Sequence, residues 1–151
     1  MSLSGKEKIA IQSALADLPV GKKLADVLDK LVDGAFNVSF SVGAETSNAI
    51  AVTITVTGPD GQALTAPVFL DMIVVSSLTT FAISTTDYTS VTATTGSVVE
   101  MVADKILKVL TNASGVAVVV FTLSSGAATN YLALLRPGGS PSASGAITHA
   151  A

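Results

Sequence analysis

From Ile50 to Thr57 the chain alternates a branched apolar side chain with a small or hydroxylated one at every step, with Ile50, Val52, Ile54 and Val56 set against Ala51, Thr53, Thr55 and Thr57. Successive side chains of a strand point to opposite faces, so this period of two places four aliphatic groups on one face and the methyl and hydroxyl groups on the other. A helix would scatter the same residues around its circumference. The pattern recurs. Phe36, Val38 and Phe40 alternate with Asn37, Ser39 and Ser41. Residues 68–75, Val-Phe-Leu-Asp-Met-Ile-Val-Val, are apolar on nearly both faces and are expected to form a central strand. Asp71 interrupts that run; it is read as an exposed position in mid-strand, with a buried, paired carboxylate as the alternative.

Turn chemistry divides the remainder. Gly58-Pro59-Asp60-Gly61 presets a turn, read as the tip of a hairpin that leads into residues 67–76. Residues 79–86 and 88–95 are two further β-prone segments rich in Thr and Ser. Residues 98–102 and 106–111 flank a tight turn at Asp104-Lys105, and residues 112–115 make another before 116–123. Residues 131–135 form a core-type strand, and 144–149 are expected to pair as the last one. Eight or nine short strands with such punctuation predict a mainly β protein, a single β-sandwich of immunoglobulin-like or jelly-roll-like type over residues 35–151. The Trp and Cys pair of true immunoglobulin domains are missing from the sequence.

Residues 1–34 specify something else. They contain no Thr, and Thr and Val dominate only after Gly34. Ser4 and Glu7 make a capping box for a helix over 5–17, which Pro19 and Gly21 interrupt. A second helix is expected over 22–32, where Leu24, Val27, Leu28 and Leu31 fall on one face. A helix this short is unstable unless that face is buried, either on the sandwich of its own chain or against the same helix of other copies. The oligomer is the reading taken here, with these four residues as its interface.

Charge and composition bound the function. Charged residues make up 13% of the chain, against about 25% in ordinary soluble domains, so the surface is built from Thr, Ser, Ala, Gly and Asn and gains from being covered in an assembly. The net charge is −3, and five of the eight basic residues lie in the first 33 positions, so no basic face for nucleic acid is expected. No apolar run reaches membrane-spanning length, and the opening MSLSGKEKIA is not expected to act as a signal peptide. With no cysteine, thiolate metal sites and cysteine nucleophiles are excluded. His149 is the one histidine and sits near the end of the chain, where it is expected to be solvent-exposed or an interface residue without chemistry. No Gly-x-Ser-x-Gly elbow, phosphate loop or dense carboxylate loop is present. No catalytic residue, metal site or cofactor is therefore expected, and the chain is read as non-enzymatic. A sugar-binding module is disfavoured by the scarcity of aromatics free of the core pattern.

Two fragments carry a family resemblance. Phe40-Ser41-Val42-Gly43-Ala44-Glu45 with the alternating strand and turn that follow, and Tyr131-Leu132-Ala133-Leu134-Leu135-Arg136-Pro137-Gly138-Gly139 with Ser144-Gly145-Ala146-Ile147-Thr148, resemble small virion structural proteins of tailed bacteriophages. The resemblance covers roughly residues 36–150 and departs in the Thr-rich 76–97 stretch and the N-terminal helices. It implies a protein made in the host cytoplasm and located in the virion, decorating or stabilising the capsid. Its partners would be the major capsid or other virion proteins and further copies of itself, a trimer favoured by the three-fold habit of such proteins. A neck, tail or baseplate component or a host-adhesion carrier is the alternative. It implies no catalytic residues.

Because every complete alternating strand follows Gly34, residues 35–151 are expected to fold cooperatively without the N-terminal segment. Circular dichroism of that fragment should give a β spectrum with a single thermal transition; a largely disordered spectrum would contradict the domain assignment.

Overall fold

In the computed structural model, which describes residues 36–58, 60–135 and 142–151, ten strands follow one another in two packed antiparallel sheets. They are β1 (Asn37–Val42), β2 (Ala49–Thr57), β3 (Phe69–Val75), β4 (Ser90–Thr95), β5 (Ser97–Val102), β6 (Ile106–Leu110), β7 (Val116–Thr122), β8 (Ala128–Leu134), β9 (Ser142–Ala143) and β10 (Ile147–His149). The first sheet has the order β1-β2-β7-β4, and the second runs β10-β8-β3-β6-β5, with β9 pairing the far half of β8. The protein is a β-sandwich. With the β5–β6 hairpin and the two-residue β9 set aside, the remaining seven strands in chain order fall into the A-B-E-D and G-F-C sheets of a constant-type immunoglobulin domain. The expected helices over 5–17 and 22–32, with Leu24, Val27, Leu28 and Leu31, lie outside the described residues.

The core follows from the alternation. Along β2 every second residue is buried, and the antiparallel register sets Ile50 against Phe121, Val52 against Val119 and Ile54 against Ala117 of β7. The second sheet answers with Leu70, Met72 and Val74 of β3, Leu107 and Val109 of β6, and Leu132 and Leu134 of β8. Burying each such side chain contributes about 1.5–3 kcal/mol, and this supplies most of the drive to fold. Val38, Phe40 and Val42 close the β1 edge as partly buried neighbours of the same core.

Several sequence expectations are corrected. The turn at 58–61 forms, with Gly61 N–H donating to the Gly58 carbonyl at 2.9 Å and the Asp60 carboxylate accepting from Gln62 N–H at 3.1 Å. It does not join a hairpin. Both edges of β2 are taken by β1 and β7, so the chain crosses to the other sheet, where Val68 N–H donates to Thr111 Oγ1 at 2.9 Å and starts β3. Residues 79–86 are not a strand. Ser77 Oγ accepts from the N–H groups of Thr79 and Thr80 and Ser84 Oγ from that of Thr86, so hydroxyls take donors a ladder would need. One isolated bridge, Val75 to Ile83, is left. The strand expected over 88–95 begins at Ser90, because the Tyr88 N–H is given to Asp104. The strand expected over 144–149 is shortened to β10, Ile147–His149, and Ser144 Oγ instead accepts the N–H of Leu132 at 2.9 Å.

Two corners depend on glycine. Gly96, at φ 73°, turns the chain from β4 in one sheet into β5 in the other, where a Cβ would collide with the Leu110 carbonyl oxygen. Gly115, at φ 77°, lies against the Val56 carbonyl oxygen in the same way. Gly61 has φ 82° but open space around it. Gly61→Ala should therefore cost only the left-handed penalty of about 1–2 kcal/mol. Gly96→Ala and Gly115→Ala should lose more, ~3 kcal/mol or above, because carbonyls must move as well. Urea denaturation of the three variants checks the ranking.

Candidate functional site

The described residues bring their polar groups together at one end of the sandwich. Asn130 of β8 is buried, and its amide donates to Thr86 Oγ1 at 2.9 Å and to the Tyr88 hydroxyl at 3.0 Å. The Tyr88 ring packs on Phe121 with centroids 5.1 Å apart and on His149 at 5.8 Å. The β5–β6 turn reaches the same place: Asp104, in the left-handed region at φ 60°, accepts the Tyr88 N–H at 3.1 Å while its own N–H donates to Glu100. Lys105 Nζ donates to the Thr86 carbonyl and pairs with Asp87. Burial pushes the Tyr88 hydroxyl above its usual value of 10.0, against the opposing bond from Asn130. Burial also raises the Asp104 carboxyl, with the charge of Glu100 acting in the same direction.

His149 corrects a sequence expectation. It is 1% exposed, not a solvent-facing or frayed residue. β10 is held against β8 by the pairs Ile147 with Asn130 and His149 with Ala128, which turns the ring inward. Glu45, in the connection after β1, holds it there: one carboxylate oxygen lies 3.3 Å from His149 Nδ1 and the other accepts the Ala150 N–H at 2.9 Å. His149 Nε2 is buried without a hydrogen-bond partner, so no serine or threonine hydroxyl stands where a nucleophile would need its base. The arrangement fastens a terminal strand. Among the described residues no group of three or more His, Asp or Glu side chains converges in a way that could hold a metal ion.

The larger feature is the contrast between the two outer surfaces. Outside the first sheet stand Ser39, Ser41, Thr53, Thr55 and Thr92, with Val116, Val118 and Val120 of β7 partly buried among them. Outside the second sheet stand large apolar groups. Phe69 is 64% exposed and Val99 58%, and Val102 and Leu135 are about half exposed. Residues opposed across antiparallel strands share a face, so the register sets these out in rows: Phe69 beside Leu110, Asp71 beside Lys108 and Val99, and Ile73 beside Ile106 and Val102. Leu135 lies next to Asp71, donating its N–H to the Asp71 carbonyl. Asp71 is exposed, as read from the sequence, and its carboxylate pairs with Lys108 at 3.0 Å. Lys108 Nζ also sits 5.7 Å from the centroid of the Phe69 ring. The proposed oligomer residues Leu24, Val27, Leu28 and Leu31 lie outside the described residues.

No protein-family model matches the chain, and no curated protein matches it in sequence. Among solved structures it is similar to the crystal structure of MtrC from Shewanella baltica OS185, with a TM-score of 0.35 and 14% identity over 84% of this chain. The match covers 24% of that protein, so this chain spans about a quarter of its length.

The buried Tyr88 hydroxyl gives a pH prediction. Its raised pKa means the folded state keeps a proton that the unfolded chain releases, so its contribution is intact below pH 10 and is lost as pH rises through the folded-state value. Stability measured by urea denaturation should fall between pH 8 and pH 11. Tyr88→Phe should cost about 1 kcal/mol at pH 8, the value of the lost bond from Asn130, and should lose less than the parent on going to pH 11.

Proposed function

We propose that this chain is a non-enzymatic structural protein of a tailed-bacteriophage virion, an assembly subunit that decorates or stabilises the capsid through protein–protein contacts. One observation carries the reading: the outer face of β3, β6 and β5, with Leu135 just after β8 beside it, sets Phe69, Val99, Val102 and Leu135 in solvent around a single ion pair. Isolated apolar groups on a surface are ordinary, but a contiguous apolar sheet face marks an interaction site. On the opposite sheet the outward positions of β1, β2 and β4 are mostly Ser, Thr and Ala, and the outward valines of β7, Val116, Val118 and Val120, are partly buried among them rather than standing in solvent. The polar groups at the sandwich end are consumed by one another and by the backbone, which suits a scaffold. The resemblance of residues 36–150 to small virion proteins supplies the setting.

Cryo-electron microscopy of the particle encoded with this chain tests the proposal. Density for the sandwich is expected on the capsid, in a fixed ratio to the major capsid protein. Phe69→Asp combined with Val99→Asp should keep the β spectrum of the free protein and reduce its incorporation at least tenfold. Particles purified without the chain would overturn the virion assignment.

A further inference from the structure

We infer that the outer face of β3, β6 and β5 pairs with the same face of a second copy, about a two-fold axis that runs along the strands between β3 and β6. This deepens the proposed function, on whose apolar face it rests, by naming what covers that face. A two-fold contact requires each group to meet its complement, so that i touches j and j touches i. The register here meets that requirement row by row. An axis between β3 and β6 carries each β3 residue over its β6 neighbour. Asp71 of one copy then faces Lys108 of the other, and Lys108 faces Asp71. In the rows on either side, Phe69 comes over Leu110 and Ile73 over Ile106. One strand further out, Val99 of β5 comes over Leu135 beyond β8, so two of the more exposed apolar side chains cover each other.

Charge makes the second copy a better fit than an arbitrary apolar partner. Asp71 and Lys108 are the charges at the centre of the face, already 3.0 Å apart in one copy. A partner without charges there would strip water from both and return nothing, which is costly. A second copy returns an ammonium to each carboxylate and a carboxylate to each ammonium, an alternating square of four charges. The four strands that overlap about this axis, β8, β3, β6 and β5, by about five residues make a patch roughly 20 Å by 17 Å, smaller than the ~800 Å² per partner of a standard interface and of the size of a concentration-dependent contact. Two sheets laid together with strands nearly aligned are a packing that sandwiches already use.

Charge exchange tests the pairing in the full chain. Asp71→Lys leaves two positive charges at the centre of the face, and Lys108→Asp leaves two negative ones. Sedimentation at tens of micromolar should show the parent protein associated, and each variant alone weakened at least tenfold in self-association. An equimolar mixture of the two variants should regain the parent mass, because opposite faces now match. Circular dichroism should be unchanged throughout, since an exposed pair adds little to folding. A parent protein that sediments as a monomer, or variants that self-associate as the parent does, would overturn the pairing. A mixture no more associated than its components would do the same. Particles that carry the chain while the free protein stays monomeric would sink this inference and leave the proposed function standing. A self-paired chain missing from particles would do the reverse.

Discussion

The structure depends first on the ladder between β2 and β7. Its inner row opposes Ile50 with Phe121 and Val52 with Val119, and ends on Ile54 opposite the small Ala117. That small side chain matters beyond its own pair. Gly96 comes within 3.3 Å of the Ala117 methyl, measured from where a Cβ would stand, as the chain leaves β4 for the second sheet. A larger residue at 117 would push this corner outward, and β5 would lose its place beside β6. The packing of the first sheet therefore decides whether the second can extend past β6, and that extension supplies Val99 and Val102 to the apolar face.

The two outer faces show how one alternating code can serve two ends. On β2 the off-core positions are Ala and Thr, and on β3 they are Phe69, Asp71 and Ile73. Both strands are central in their sheets and satisfy the same inner requirement. They differ only in what they offer outward.

Much of this was legible in the sequence, and the losses have physical causes. Alternation along 36–41 and 50–57 announced β1 and β2, because a period of two tells which face a side chain takes, and the turns at 104–105 and 112–115 bounded β6 and β7. The same period says nothing of which strand lies alongside, so the turn at 58–61 was read as a hairpin although β2 already had both neighbours. The stretch 79–86 has strand composition, but its serines bind nearby N–H groups instead of leaving them to a ladder. Residues 68–75 read as a central strand because they are apolar on nearly both faces; β3 is indeed central, yet Phe69 stands in solvent. Glu45 and His149 left no signal at all, since they lie 104 positions apart and nothing local to either announces the other.

That long-range bond has a bearing on how the chain is made. Glu45 belongs to the connection that follows the first described strand, and its two oxygens meet His149 and Ala150 at the far end. While the ribosome is still adding the last strands, the first sheet can form its β1–β2 hairpin, but β8 lacks β10 along one edge and Glu45 has nothing to hold. Closure waits until residue 150 has cleared the exit tunnel. Pairings of such separation also fold slowly, since most of the chain must be ordered before they can form. For that interval the nascent chain carries an open sheet edge, and synthesis of many copies side by side makes this the time at which it is most exposed to strand exchange between neighbours.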